Sequence, residues 1–185
     1  MSGYSISLTH EDVFAVIQPW VAAVTGLSPN VVVQAMGNRT PMPPPVPGYV
    51  VMTITAFKNL RTPILTWDQS QGGNPDVISS ESGTRLLVQL DFISGPGVSP
   101  GAGDWAKMVS GLWRTEMACA ALAPTCAPLH ADEAMMAPLT DEEDQYEQRW
   151  TLQAYVQYNP VTTAPMQFAD QAEVTLVNVD KAYPP

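Results

Sequence analysis

Basic residues are scarce. The chain of 185 residues carries 8 Lys and Arg against 18 Asp and Glu, a net charge of −10. So few cations cannot neutralise a run of phosphates, which excludes nucleic-acid binding driven by counterion release. An acidic surface repels DNA instead. Charge of either sign is low, at 14% of residues, where about 25% is usual. Cysteine is almost absent. Cys119 and Cys126 fit neither C-x-x-C nor a zinc spacing, so both read as free, partly buried thiols of a reducing compartment. His10 and His130 are the two histidines, and neither sits in H-E-x-x-H or beside a Cys at metal spacing. No run of about 20 apolar residues exists, and the first residues lack the basic and apolar regions of a signal peptide. A soluble cytoplasmic product without membrane contact is expected.

What is plentiful is apolar residues, at 45%, and proline, at 18. A chain of this length buries roughly 70% of its unfolded surface. A single domain over 1–185, with stiff Pro-rich connections such as 42–48, follows. Residues 1–8 read as a loose lead-in. Thr9 is an N-cap with Asp12 at the N3 position of a capping box. Val13, Phe14, Ile17, Trp20, Val21 and Val24 then recur at helical spacing, and Gly26 is a C-terminal stop. Pro19 predicts a kink or a division within this helix.

Residues 31–35 form a short strand candidate. Over 49–57, Val50, Met52, Ile54 and Ala56 alternate with Val51, Thr53, Thr55 and Phe57, the period of a strand. Residues 62–70 and 76–84 predict a strand pair about the turn signals Gly72-Gly73 and Asn74-Pro75. The pair is polar, too poor in apolar surface for a core, and reads as a β-arm over 62–84 that contacts something else. Leu86, Val88, Leu90 and Phe92 share one strand face. Trp105, Met108, Val109, Leu112, Trp113 and Met117 predict one amphipathic helix from Asp104. Residues 128–139 read as irregular or a short edge strand. The clearest strand is 150–158, with Trp150, Leu152, Ala154, Val156 and Tyr158 on one face. Residues 171–179 supply a last one. The expected fold is α+β: a mostly antiparallel sheet, two amphipathic helices packed on one face, and a protruding β-hairpin arm.

No local chemistry emerges. Residues 95–103, GPGVSPGAG, lie between a strand and a helix, but Pro100 stands where G-x-G-x-x-G needs glycine and no GK[ST] follows. Asp141, Glu142, Glu143, Asp144 and Glu147 lack the spacing and the glycine of a calcium loop, and with Asp132 and Glu133 they read as solvated acidic surface. No G-x-S-x-G elbow is present. Neither a catalytic residue nor a cofactor is assigned.

A longer pattern does emerge. Gln145-Tyr146-Glu147-Gln148-Arg149-Trp150, Gln157-Tyr158-Asn159-Pro160, Gln167-Phe168-Ala169-Asp170 and Val177-Asn178-Val179-Asp180 resemble the neck or tail-terminator proteins of tailed bacteriophages and prophages. Asp91-Phe92 and Trp113-Arg114-Thr115-Glu116 fit as well, and Thr9 to Trp20 fits more loosely. The likeness is dense from about Thr84 onward, and the loop at 95–103 is longer than the family's. The resemblance implies a non-enzymatic virion protein, assembled in the host cytoplasm. It implies a ring, commonly a hexamer, that terminates the tail tube and joins it to the head–tail connector, with DNA passing through the lumen. It transfers no catalytic residue. On this reading Tyr146, Glu147 and Arg149, with Trp67 of the arm, are expected at a subunit boundary while Trp150 anchors the core. Asp132, Glu133, Asp141, Glu142, Glu143 and Asp144 are expected to face the channel. A related connector or stopper ring, or a small ligand-binding or enzymatic α+β domain, are the alternative readings.

Overall fold

The computed structural model describes residues 3–35, 43–44, 46–68, 77–137, 139–140 and 146–165. The predicted strand at 171–179, the arm's turn and the acidic run 141–144 lie outside them.

The chain opens with a short strand, β1 (Ser5–Ile6), where a loose lead-in was expected. Helix α1 (His10–Thr25) begins at the capping box, with Thr9 and Asp12 exchanging hydrogen bonds, and ends at Gly26 in the left-handed conformation. The two Thr9 donors hold the Asp12 carboxyl below its ordinary value. Pro19 does not divide the helix. The lost hydrogen bond and ring clash cost about 3 kcal/mol. Burial of Ile17, Trp20 and Val21 on both sides of the proline offsets that cost. Gln18 Nε2 donates to the carbonyls of Pro29 and Val32, tying the helix to the next turn.

Beyond that turn β2 (Val32–Gln34) runs parallel to β3 (Tyr49–Asn59). Gly48 delivers β3 beneath Trp105. Its φ is +138°, and a Cβ there would lie 2.6 Å from both the Ile93 carbonyl oxygen and the Trp105 ring, so only glycine fits. Strict alternation in β3 fails at Thr55, where a bulge shifts the register. Ala56 then faces Leu87 and Phe57 faces Leu86, reversing the faces that alternation predicts for both residues.

Next come β4 (Ile64–Asp68), β5 (Val77–Glu81) and β6 (Thr84–Ser94). The single helix expected from Asp104 is two: α2 (Ala102–Leu112) and α3 (Glu116–Leu122). Thr115 separates them. Its hydroxyl donates to the Leu112 carbonyl and accepts from the Ala118 amide, closing one helix and capping the next. Met117, placed on the apolar stripe by spacing, is consequently 76% exposed. The edge-strand alternative for 128–139 holds in β7 (Ala127–Ala131), followed by β8 (Met135–Met136) and β9 (Leu139–Thr140). Last among the described elements are β10 (Tyr146–Tyr158) and β11 (Val161–Pro165).

The architecture is α+β. The main sheet has the order β2-β3-β6-β10-β7, with β8 and β9 also paired to β10. Every pairing but β2–β3 is antiparallel. The strand predicted at 150–158 lies within β10, which has partners on both edges, β6 and β7. The three helices α1, α2 and α3 pack on one face. There Leu86, Val88, Leu90 and Phe92 of β6 and Leu152, Ala154 and Val156 of β10 are fully buried against α1–α3. Trp113, at the corner between α2 and α3, meets the Trp20 ring edge-on at 5.3 Å. Its Nε1 donates to the Tyr155 carbonyl, where the β10–β7 ladder shifts register.

The arm exists and is larger than a hairpin. β4 and β5 pair as expected, but β11 and β1 extend them into a second sheet ordered β1-β11-β5-β4. β4, β5 and β11 are the onward runs of β3, β6 and β10, in the same lateral order. The three strands break at one level, around Leu60–Pro63, Ser82–Gly83 and Asn159–Pro160. Two backbone bonds cross there, Leu60 N to Gly83 O and Ser82 N to Pro160 O.

Candidate functional site

Among the described residues no group of three or more His, Cys, Asp or Glu is placed to hold a metal ion. The side chains that stand out lie on surfaces, in three places.

The first is the sheet face opposite the helices. There β6 and β10 present the residues that alternation turns outward. Asp91 is buried on this face and accepts from four donors. Arg149 Nε reaches Oδ1 at 3.2 Å and Arg149 Nη2 reaches Oδ2 at 3.0 Å. Thr151 Oγ1 lies 2.6 Å from Oδ1, and Gln89 Nε2 lies 2.9 Å from Oδ2. The carboxylate partner of Arg149 is thus in its own chain. Farther along the same face three strands contribute a stack. Arg85 of β6 sits 5.0 Å over the Tyr155 ring of β10, which stacks at 4.1 Å on His130 of β7. Lys58 of β3 stands directly opposite Arg85.

The second place is an open groove of about 740 Å³ between α2 and the start of β10. Trp150 forms its floor with Asp104, Lys107, Glu133 and Gln148 around it. Gly103 lets α2 close on Trp150, since a Cβ at Gly103 would come within 3.0 Å of the indole. Trp150 packs against the main core while remaining partly exposed. Asp132 and Glu133 part company here. Asp132 accepts from Tyr155 Oη on the outer sheet face, at 3.4 Å, whereas Glu133 lines the groove beside α2. Both are exposed. Asp141, Glu142, Glu143 and Asp144 lie outside the described residues. The backbones of Tyr146 and Glu147 pair with Thr140 and Leu139.

The third place is the arm. Trp67 lies on β4 opposite Ile78 and is 54% exposed. No residue of the arm's four strands is buried. Arg61 and Glu81 pair at its base, both half-exposed, an arrangement of little energetic weight.

Both thiols are unpaired as expected, but they are not both partly buried. Cys119 is exposed and Cys126 buried, and burial pushes the Cys126 thiol up to about 12. At pH 8 it is therefore protonated and unreactive. A native-state thiol titration should label Cys119 alone, with Cys126 reacting on unfolding. Equal rates for the two would contradict the burial.

Spacing alone brought out Trp150, whereas Trp67 entered through the resemblance. Spacing did not bring out Asp91, whose donors come from two strands, nor the Arg85–Tyr155–His130 stack. No curated protein matches the chain. The profile of the family described as phage neck terminator protein matches residues 11–180, a span running from α1 through both sheets, and the chain belongs to that family.

Proposed function

We propose that this protein is a structural ring subunit at the head–tail neck of a tailed bacteriophage, without catalytic activity. The ring, a hexamer on this reading, terminates the tail tube and joins it to the connector, and DNA passes through its lumen. The observation that carries the reading is the arm: a four-stranded sheet with no buried residue on either face. A sheet needs a packed apolar face to be stable by itself, so the arm's surface is meant for another chain. Copies related head-to-tail by rotation close into a ring.

Trp67 on the arm, and Tyr146, Glu147 and Arg149 at the start of β10, are the proposed boundary residues. Asp132, Glu133 and the 141–144 run are proposed to face the channel, where like charge keeps DNA from adhering. Mapping the potential of the assembled ring tests this, and a neutral or basic lumen sinks it. For the ring itself, sedimentation of the purified protein, alone and mixed with tube protein, should give a closed oligomer of defined size. A monomer under both conditions overturns the proposal.

A further inference from the structure

Among the described residues the arm sheet ends laterally in two strands with no further neighbour, β1 on one side and β4 on the other. We infer that the β4 edge of one copy pairs with the β1 edge of the next, so that the arm sheets of successive copies form one continuous antiparallel band. This rests on the ring reading above and adds which edges meet.

Four observations support it. First, an exposed apolar edge is a template for strand addition unless charge, proline or a bulge blunts it. β4 reads Ile-Leu-Thr-Trp-Asp, with its one charge at the last residue, Asp68, and no Pro, and its pairing with β5 is unbroken by a bulge. Residues 3–7 read Gly-Tyr-Ser-Ile-Ser, equally unprotected. Second, large exposed apolar side chains stand on both edges: Tyr4 and Ile6 on one, Ile64, Leu65 and Trp67 on the other. Third, two copies each carrying −10 repel. They approach most cheaply where neither carries charge, and residues 3–7 and 64–67 contain no group charged at neutral pH.

The fourth observation is strand direction, which decides between partners. β1 is antiparallel to β11, β11 to β5, and β5 to β4. β1 and β4 therefore point opposite ways. A copy displaced sideways by rotation brings its β1 antiparallel to β4, and the alternation continues unbroken. A two-fold contact, β4 on β4, would also be antiparallel. It would close at two copies and leave both β1 edges bare, with Tyr4 and Ile6 in water.

The test is cysteine cross-linking in the full chain with Cys119→Ser as background. A cysteine at Tyr4 or Ile6 is combined with one at Leu65 or Trp67, positions at the surface where substitution spares the core. Under oxidation at least one of the four combinations should give a ladder of covalent multimers ending at the ring's copy number. An equimolar mixture of the two corresponding single variants should stop at dimers. Trp67→Glu, which places charge on the edge, should abolish oligomers while leaving the monomer's thermal transition unchanged. Rings that sediment normally yet yield no ladder in any combination would overturn the edge pairing and leave the ring standing. Single Leu65→Cys or Trp67→Cys variants that cross-link to themselves as dimers would assign the two-fold contact instead and overturn it as well. Absence of any oligomer in the Cys119→Ser background would overturn both proposals.

Discussion

Trp113→Ala is expected to cost about 3–5 kcal/mol, the range for emptying a large aromatic from a core. That is a substantial part of the about 5–15 kcal/mol that holds a domain together. Trp113 is fully buried and stands where α2 ends and α3 has not begun. Its ring meets Trp20 of α1 edge-on, and its Nε1 reaches the Tyr155 carbonyl of β10. One side chain thus joins two helix ends to the central strand. The truncation loses apolar burial, an aromatic pair and a hydrogen bond, and it leaves the Tyr155 carbonyl without this donor. Trp113→Phe keeps most of the volume and should cost less than half as much. Urea unfolding measures both. Met108→Ala, on a partly exposed position of α2, is the control. A midpoint for Trp113→Ala no lower than that control's would refute the keystone role.

Arg149→Met should destabilise the fold by about 3 kcal/mol, and by more than Asp91→Asn does. The asymmetry follows from burial. The Asp91 side chain is 7% exposed and that of Arg149 is 32%. Removing the guanidinium leaves a carboxylate in a poorly solvated place, with only Thr151 and Gln89 to stabilise it. Removing the carboxylate's charge instead leaves a cation that can turn to water, and the Asn oxygen still accepts from Thr151, so about 1–2 kcal/mol is expected. Chemical denaturation of the two variants decides it; the reverse order would refute the account. There is a consequence for the proposed boundary. Charge reversal at Arg149 sets a second carboxylate against Asp91, so failed assembly in that variant reports the fold before it reports the interface. Trp67, which holds nothing in its own chain's core, is the cleaner probe.

Much of this fold was legible because its determinants are local. The Thr9–Asp12 capping box and Gly26 fix both ends of α1 within a few residues. Alternation in β6 and β10 names the buried face without knowledge of any partner. The misreadings share a cause: a pattern that continues past the point where backbone geometry changes. The apolar stripe runs on to Met117 although Thr115 has already stopped the helix. β3 keeps alternating in sequence although the bulge at Thr55 has moved Phe57 across the sheet. Pro19 marks a break that burial on both sides overrides. The second sheet was half legible, as a polar strand pair. Its other half joins Ser5 to Thr163, a pairing with no local signal. For the candidate surfaces, exposure of Trp67 follows from the arm's poverty in core residues, whereas the Asp91–Arg149 pair joins different strands and is invisible to spacing.

Three neighbouring strands leave the main sheet at a common level, and among the described residues every fully buried side chain lies on the body side of that level. The division separates two quantities that many oligomers entangle. On the proposed ring, the free energy that folds a subunit would reside in the body, and the surface offered to neighbours in the arm. A newly made subunit would then fold its body before it meets another copy, and the arm would gain a packed face only on contact. On that reading, drift in the arm's sequence would alter which partners it accepts without eroding the body. Drift in the body alters robustness without redefining the joint.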